Sequence, residues 1–441
     1  MNHHTLLGTT FACACGREHT VPTRALHYHP DALDQLVPTI QSLPGINRCL
    51  VVADARTDTA AGRLVAEKLA EQSVPVERYL LPDHHGESPV ADDRTRDLFI
   101  AQAPATDLYI AVGSGVINDL VKWVAYLQGK PYLCVATAAS MNGYASANVA
   151  ASIAGLKVLF HAAPCLAVFS TPQILTDAPY LLTASGLGDV LAKTVSSADW
   201  RLNNFLFGDY YCRFSVDLLK ELEPVYLNNP EQIGTREPAA LQALFEALFF
   251  SSVAMTITGT SSPASGGEHL VSHTLDMLAG RDGGRHDLHG RQVGVASILM
   301  AALYEEVLAV DRPRFHAAPG QVDEAFWGTL SPVVAQEYQK KLPRYQEVAN
   351  RLAQPGVCEE LRNLLQADLV PAAKLKHCLA GAGAAHRVED IDDSGTPLNR
   401  GKFSAVVGHA NQMRERFTVL DLALLLGIFP AGINRLIDKW L

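Results

Sequence analysis

The feature that most limits the fold of this chain is an alternation of short apolar runs with amphipathic segments. The apolar runs read as buried strands, and the segments between them space their apolar residues at the helical period. Strands that alternate with helices favour a parallel sheet covered by helices. In chain order they are strand 48–53, helix 59–72, strand 76–81, helix 92–101, strand 107–112, helix 116–127 and strand 131–137. The sequence therefore predicts an α/β domain with a Rossmann-like parallel sheet over residues 1–178.

Beyond about residue 178 helical periodicity dominates, and strand-like runs become scarce. Segments with helical spacing lie at 187–202, 240–255, 267–277, 293–308, 343–352 and 418–427. The sequence predicts that residues 179–441 form a second, all-helical domain.

Composition and charge exclude several classes of function. The net charge is −10 and the pI about 5.9, whereas a general nucleic-acid binder should carry a basic excess. No run approaches the roughly 20 uninterrupted apolar residues of a membrane span. The first fifteen residues contain no Lys or Arg, which argues against a secretory signal. We expect a cytoplasmic protein without nucleic-acid or membrane partners.

One group of the eight cysteines is suggestive. The run Cys13-Ala-Cys15-Gly-Arg-Glu-His19 offers three soft ligands within seven residues. Structural zinc normally takes four ligands in paired spacing. We therefore favour a turn with a satisfied thiol over a metal site here.

Two loops rich in small residues follow predicted strands. Gly113-Ser114-Gly115 lies where a strand enters a helix, so its backbone could approach an anion and its N–H groups could bind one. The run is not the G-x-G-x-x-G fingerprint, because position 118 is Asn. A second loop, 136–146, follows the next strand and is rich in small and hydroxyl residues. Two such loops at strand ends favour a nucleotide site over a pair of ordinary turns.

The helical half contains candidate metal ligands. Asp189 stands in the glycine-rich run 186–189, where an aspartate is most often a helix cap. His269 and His273 are four residues apart and share one helix face, and His286 and His289 precede another apolar helix. One carboxylate and two imidazoles suit a catalytic divalent metal. Spacing alone leaves open which two of these histidines complete the site, because the chain has 16.

Taken together, these blocks resemble the iron-containing alcohol dehydrogenase superfamily, which also includes dehydroquinate synthases and glycerol dehydrogenases. The matching blocks are 112–122, 136–143, 186–193, 267–273 and 289–294. Within the superfamily, 11–19 and 261–269 are similar to bacterial sn-glycerol-1-phosphate dehydrogenases. The resemblance implies a dehydroquinate synthase-like fold, with an α/β nucleotide domain followed by a helical metal domain.

The resemblance also implies roles for individual residues. Asp189, His269 and His289 would be the metal ligands, and His273 would be a catalytic neighbour that relays a proton. Contacts to the dinucleotide would come from Asp54, Gly113, Ser114, Gly115, Asp119, Thr137, Ser140 and Lys157. Residues on the substrate side would be Lys122, Asn142 and Ser146.

Three positions depart from the subfamily pattern. Asn142 replaces a usual aspartate, Ser262 replaces a usual arginine, and Ser114 interrupts a usual run of three glycines. The neutral amide of Asn142 can donate as well as accept hydrogen bonds, and Ser262 removes a potential phosphate partner. Because the 261–266 stretch opens a helix, its backbone N–H groups could bind phosphate without that arginine.

The implied activity is the reversible reduction of dihydroxyacetone phosphate to sn-glycerol 1-phosphate, with NAD(H) or NADP(H) and one divalent metal. Zinc, nickel and iron all suit the ligand set, and the resemblance implies a homodimer. The alternatives are a dehydrogenase of an unphosphorylated polyol such as glycerol, a sugar-phosphate cyclase of the same fold, and a binding protein without catalysis.

Overall fold

The computed structural model describes residues 3–84, 88–153 and 156–441. Two compact units divide the chain, and each consists of several segments. The first comprises Met1–Gly186, Phe214–Tyr226 and Gln232–Thr260, and the second comprises Leu187–Arg213, Leu227–Glu231 and Ser261–Leu441. The division predicted at residue 178 therefore lies near the first crossing between units, but two later helical segments belong to the first unit.

The first unit is built on a six-stranded sheet in the order β3-β10-β7-β6-β4-β5, and every pairing in it is parallel. Three two-stranded antiparallel pairs, β1-β2, β8-β9 and β11-β12, lie outside this sheet. The strands are β1 (Thr10–Ala12), β2 (Glu18–Thr20), β3 (Ala25–Tyr28), β4 (Cys49–Ala53), β5 (Val76–Leu80), β6 (Leu108–Gly113), β7 (Tyr132–Ala136), β8 (Asn148–Ile153), β9 (Leu156–His161), β10 (Ala167–Ser170), β11 (Asp392–Asp393) and β12 (Thr396–Pro397).

Helices make up most of the remaining described structure. They are α1 (Leu36–Gln41), α2 (Ala55–Thr57), α3 (Arg63–Glu71), α4 (Asp93–Gln102), α5 (Gly115–Leu127), α6 (Pro172–Asp177), α7 (Tyr180–Leu191), α8 (Lys193–Phe207), α9 (Arg213–Asp217), α10 (Glu223–Asn228), α11 (Pro230–Gly234), α12 (Pro238–Thr258), α13 (Gly267–Arg281), α14 (His289–Leu308), α15 (Glu324–Trp327), α16 (Ser331–Leu352), α17 (Val357–Gln366), α18 (Ala372–Gly381), α19 (Arg400–His409), α20 (Val419–Leu425) and α21 (Ile433–Trp440).

The central strands β4, β6 and β7 are buried at every residue. Strands covered on both faces are apolar throughout and do not alternate, which is why these runs were readable in the sequence. The parallel sheet, including the predicted strands that became β4 to β7, is confirmed. Strands β3 and β10 escaped prediction because each has only four residues, too few to show a pattern.

The carboxyl ends of the central strands lie at one edge of the sheet. Gly113 pairs with Ala136, and β4 runs beside β6 to end at Ala53. Because adjacent parallel strands finish together, the loops after β4, β6 and β7 are neighbours. This edge is the position at which α/β sheets bind nucleotides.

Helices dominate the second unit, and two of the predicted helices differ from the observed ones by more than a few residues at their ends. The helix predicted at 187–202 is two helices, α7 and α8, separated at Ala192. Helix α16 begins at Ser331 and includes Pro343, where we had predicted its start. A proline removes one N–H donor and crowds the carbonyl of the preceding turn, a cost that the packing of a long helix can offset.

Helix α12 is long and apolar enough to cross a membrane by length and composition, with a hydropathy of 1.6. No apolar run of this length was expected from the sequence. However, 83% of that window is buried inside the protein, and the helix belongs to the first unit. Its apolar character is that of a core helix.

We predict that Ile110→Ala destabilises the first unit by about 2–5 kcal/mol, because it leaves a cavity beneath a central strand. Ile110 is fully buried in β6, whereas Ile100 on α4 is 40% exposed. Ile100→Ala is the matched control and should change stability by about 0.5 kcal/mol or less. Urea unfolding followed by circular dichroism measures both, and equal losses would contradict the assigned core.

Candidate metal centre and nucleotide edge

Three potential metal ligands converge in the second unit. Asp189 lies on α7, His269 on α13 and His289 at the start of α14, and one ligand atom from each lies within 4.8 Å of the others. The Oδ1 of Asp189 is 3.7 Å from the Nε2 of His269. Asp189 and His269 are buried and His289 is partly exposed. The set combines one carboxylate with two imidazoles, a combination that suits a catalytic divalent metal.

A close contact between two helices brings Asp189 to His289. A Cβ built on Gly188 would lie 2.0 Å from the carbonyl oxygen of Gly290, and one built on Gly294 would lie 2.9 Å from the Cα of Gly188. Only glycine lets α7 approach the first turn of α14 this closely. The glycines beside Asp189 and His289 therefore serve the metal centre by allowing its ligands to meet.

Both histidine ligands are oriented through their Nδ1 atoms. The Nδ1 of His269 is 2.8 Å from Oε1 of Glu268. Ser272 donates its hydroxyl proton to Oε1 of Gln292 at 2.7 Å, so it accepts from Nδ1 of His289 at 3.0 Å. With protonated Nδ1 atoms, both rings present the lone pair of Nε2 for coordination, as ligating histidines usually do.

The electrostatics also favour a metal ligand. Burial, helped by the positive charges of Arg414 and Arg416, lowers the pKa of His269 to about 3. The imidazole is therefore neutral at physiological pH and offers its lone pair without first losing a proton. The donor set, the tautomers and the protonation state all fit a divalent metal.

The structure places the four candidate histidines in different positions relative to the metal centre. The ring of His273 stacks on that of His289 with centroids 5.5 Å apart, and it lies 5.9 Å from the ring of His269. His286 instead faces Asp276, at 3.3 Å from its Oδ1. His273 is thus a neighbour of the centre, and His286 lies outside it, beside Asp276.

The glycine turn of the first unit joins β6 to α5. A Cβ on Gly113 would lie 2.6 Å from that of Ile117, so the turn requires glycine there. The carbonyl of Gly113 accepts from the N–H of Thr137 at 3.2 Å, which connects this turn to the next loop. Ser114 caps α5 without a side-chain hydrogen bond. The first N–H groups of α5 can therefore face a phosphate.

Two hydroxyl residues and one carboxylate complete this edge. Thr137 and Ser140 are buried in the loop after β7. Asp54 follows β4 and caps α2, accepting from the N–H groups of Arg56 and Thr57 at 3.0 and 2.7 Å. All three lie at neighbouring strand ends, and their contacts to a cofactor stay a prediction.

Three other implied site residues are occupied by protein contacts. Lys122 is fully buried, and its ammonium donates to Asp119, Ser146, and the carbonyls of Gly143 and Asn148 at 2.9–3.1 Å. These acceptors account for its three protons. Here Lys122, Asp119 and Ser146 hold the 143–148 loop against α5, which differs from the cofactor and substrate roles that the resemblance implied.

Two further implied residues lie on the loop after β7 and on β9. Asn142 lies on the same loop and is partly exposed. Lys157 lies on β9, and its side chain is outside the described residues.

The start of α13 differs from what the sequence suggested. The N–H of Gly266 donates to Oε1 of Glu268 at 2.7 Å, and that of Gly267 donates to Oδ2 of Asp199 at 2.7 Å. The Glu268 carboxylate thus occupies the N–H group of Gly266, which belongs to the 261–266 stretch that we had expected to bind phosphate, so that expectation was wrong for Gly266. Burial raises the pKa of each carboxyl to about 7, and Glu268 adds to the effect at Asp199.

Sequence reasoning missed Glu268, Asp199 and the arginines at 414 and 416. Glu268 had a signal, since it adjoins a ligand histidine in the run Gly-Gly-Glu-His. Asp199 stands alone in a helix and the arginines lie about 145 residues beyond the ligand, separations across which sequence spacing carries no information.

Comparison with known proteins places the chain among metal-dependent dehydrogenases. Residues 27–179 match the family model described as "Iron-containing alcohol dehydrogenase". The glycerol-1-phosphate dehydrogenase [NAD(P)+] of Halalkalibacterium halodurans is 33% identical over 418 residues, 92% of this chain and 94% of that protein. The Pyrococcus abyssi protein of the same name is 34% identical over 58% of this chain and 71% of its own length.

The fold is also found among solved structures. Glycerol dehydrogenase from Schizosaccharomyces pombe superposes with a TM-score of 0.61 at 15% identity, over 95% of this chain and 90% of that one. At this identity the likeness concerns the fold alone.

We predict that Gly188→Ala disrupts the metal centre, because the new methyl group would overlap the carbonyl of Gly290. Overpacking of this kind costs about 1–3 kcal/mol, and the displaced ligands should bind metal more weakly. Gly408→Ala on α19 is the matched control, since its Cβ would meet nothing within 4 Å. Metal content and unfolding should be measured together; a Gly188→Ala protein that binds metal normally would contradict this role.

Proposed function

Since this chain belongs to the glycerol-1-phosphate dehydrogenase family, we propose that it is a metal-dependent oxidoreductase that uses NAD(H) or NADP(H). Its reaction would be the reversible reduction of dihydroxyacetone phosphate to sn-glycerol 1-phosphate by hydride transfer. The observation that carries this proposal is the identity of 33% across nearly the full length of both chains. The convergence of Asp189, His269 and His289 supports the same chemistry.

Asp189, His269 and His289 would hold the divalent metal. When bound, the metal would act as a Lewis acid toward the substrate oxygen. Glu268 and Ser272 would keep both imidazoles in the coordinating tautomer through Nδ1. Asp189 would add the negative charge that a neutral pair of imidazoles lacks.

His273 would act as the general acid or base that transfers a proton at this centre. Its ring stacks on His289 and is partly exposed, so it can exchange protons with water while it remains beside the ligands. A partly exposed imidazole beside the ligands suits general acid–base work.

The edge of the sheet would bind the dinucleotide. Gly113, Ser114 and Gly115 would receive the pyrophosphate at the start of α5, with Thr137 and Ser140 beside the cofactor. Asp54 would lie toward the adenosine end, as a carboxylate after a neighbouring strand does in such folds. Asp119 and Lys122 would shape the site indirectly by holding the 143–148 loop.

A dehydrogenase of an unphosphorylated polyol is the second candidate, and Asn142 and Ser262 favour it because neither supplies a cation for phosphate. A sugar-phosphate cyclase would use the dinucleotide transiently and consume no net NADH. Cytoplasmic location, a homodimeric assembly and the choice among zinc, nickel and iron remain predictions.

We predict that the metal-loaded protein oxidises NADH or NADPH with dihydroxyacetone phosphate, and that His269→Ala loses both metal and activity. His286→Ala is the matched control, because His286 is exposed and pairs with Asp276 outside the centre. Absorbance at 340 nm, metal analysis and circular dichroism provide the readouts. Full turnover by metal-free His269→Ala protein would refute the mechanism, and activity with dihydroxyacetone alone would favour the second candidate.

A further inference from the structure

We propose that Arg414 and Arg416 form an anion subsite that binds the phosphate of the substrate. The proposal rests on the function proposed above and names a part of the site that carries substrate specificity. It is argued from the residues around the start of α13, all of which belong to the second unit.

The loop before α13 cannot supply this subsite by itself. Residues 261–266 contain no basic side chain, and the N–H groups of Gly266 and Gly267 already donate to Glu268 and Asp199. A phosphate at this place would also meet the two carboxylates. Any anion site here must therefore draw its positive charge from another segment.

Arg416 brings positive charge to this loop. Its guanidinium donates to the carbonyl of Ser265 through Nη1 and to Oγ of Ser261 through Nη2 at 3.0 Å. Both acceptors are neutral, so they orient the guanidinium without cancelling its charge. Asp199 and Glu268 act on it electrostatically, and neither accepts a hydrogen bond from it.

Arg414 provides the second cation. Its guanidinium has five N–H donors, yet it makes no side-chain hydrogen bond or ion pair with any residue in the described ranges. It is partly buried. Burial together with the charge of Arg416 lowers its pKa to about 10, against the opposing effect of the Glu337 carboxylate. Two like charges on one short segment are stabilised when an anion lies between them.

The segment that carries both arginines is fixed to α13 and is not a loose loop. The Asp199 carboxylate accepts from the N–H groups of Gly267 and Val419, at 2.7 and 2.8 Å. The carbonyl of Phe417 accepts from Nδ2 of Asn203 at 2.6 Å. Through these bonds the arginines keep a defined position relative to the helix that presents His269.

The segment of the pair packs against the helix that carries His269. Arg416 donates to Ser265 and Ser261 just before α13, and the hydroxyl of Thr274 on α13 donates to Sδ of Met413, the neighbour of Arg414, at 3.5 Å. Two guanidinium forks match the oxygens of a phosphate monoester, and each hydrogen bond would be charge-assisted. The ligand class is thus a small phosphate monoester whose other end reaches the metal.

The test compares a phosphorylated substrate with its unphosphorylated counterpart. Arg414→Met should lower kcat/KM for dihydroxyacetone phosphate by roughly tenfold to a hundredfold, the value of one or two lost charge-assisted hydrogen bonds. It should lower kcat/KM for dihydroxyacetone by a much smaller factor, and Arg414→Lys should restore part of the loss. Arg314→Met is the control, because Arg314 is exposed.

Inorganic phosphate gives a readout that does not depend on turnover. It should bind the wild-type protein in calorimetry and bind Arg414→Met more weakly, while metal content and circular dichroism stay unchanged. If the wild-type protein fails to reduce dihydroxyacetone phosphate, the proposed function fails, and phosphate binding still tests the subsite. Equal losses with both substrates, or phosphate binding that Arg414→Met does not alter, would overturn the subsite.

A separate observation points to a second metal site in the first unit. We infer that Cys13, Cys15 and His19 bind Zn²⁺. Strands β1 and β2 form a hairpin, and the N–H of Cys13 donates to the carbonyl of Arg17 at 3.0 Å. The turn contains Gly16 with a φ of +84°, a conformation that favours glycine.

This hairpin gathers the three soft ligands. Their ligand atoms lie within 4.8 Å of one another, and Sγ of Cys15 is 3.3 Å from Nε2 of His19. Bond lengths of roughly 2.3 Å to sulfur and 2.0 Å to nitrogen would place one zinc ion among them. The sequence favoured a plain turn here, because spacing did not show that the strand pairing returns His19 to the cysteines.

Metal analysis separates this site from the catalytic one. The protein purified with zinc should contain about two equivalents; Cys13→Ser/Cys15→Ser should lose one and His269→Ala the other. In the cobalt-substituted protein, the thiolate charge-transfer absorption should vanish only in the cysteine variant. Cys358→Ser is the matched control, since Cys358 is also partly buried. Unchanged zinc content in the double variant, or a Cys13–Cys15 disulfide found by mass spectrometry, would overturn the inference.

Discussion

The buried start of α13 is the constraint on which the second unit depends. A helix that begins inside a protein must satisfy its first N–H groups without water, and here Glu268 and Asp199 do so. The same two carboxylates also form hydrogen bonds with other residues. Glu268 orients the ring of His269, and Asp199 ties the helix to Val419 and to the hydroxyl of Tyr304 at 2.5 Å. Capping, ligand orientation and the placement of the arginine segment are therefore one interaction network.

That network keeps negative and positive side chains in different places. The carboxylates lie at the helix start beside the metal ligands, and the arginines lie on another segment, where a phosphate ester would need them. Carboxylates at the helix start keep anions away from the backbone donors, and the arginines provide the place where an anion is stabilised. A helix start is a ready anion site only while its N–H groups are unoccupied. Asp199, which is far from α13 in the sequence, occupies an N–H group at the start of this helix, so that this group is not available to an anion.

The first unit shows a comparable division between scaffold and site. The parallel sheet brings the loops after β4, β6 and β7 to one edge, and a buried ammonium shapes the loop between β7 and β8. Lys122 resembled a substrate ligand because it shares a helix motif with Asp119. Its burial and its four acceptors identify it as a structural cation. A lysine of this kind fixes loop geometry more firmly than a neutral residue, since a single lost acceptor leaves a buried charge partly unsatisfied.

The sequence by itself determined the parallel sheet, the helical second half and the candidate residues of the metal centre. Apolar runs reveal buried strands, helical spacing reveals helices, and side-chain chemistry limits which residues can bind a metal. Only the tertiary structure decided that His286 leaves the centre, that α12 joins the α/β unit, and that Gly188 sets the distance between two ligand helices. It also brought residues 414–416 to the start of α13. These outcomes depend on contacts between distant segments, and the periodicity of a local sequence window contains no record of such contacts.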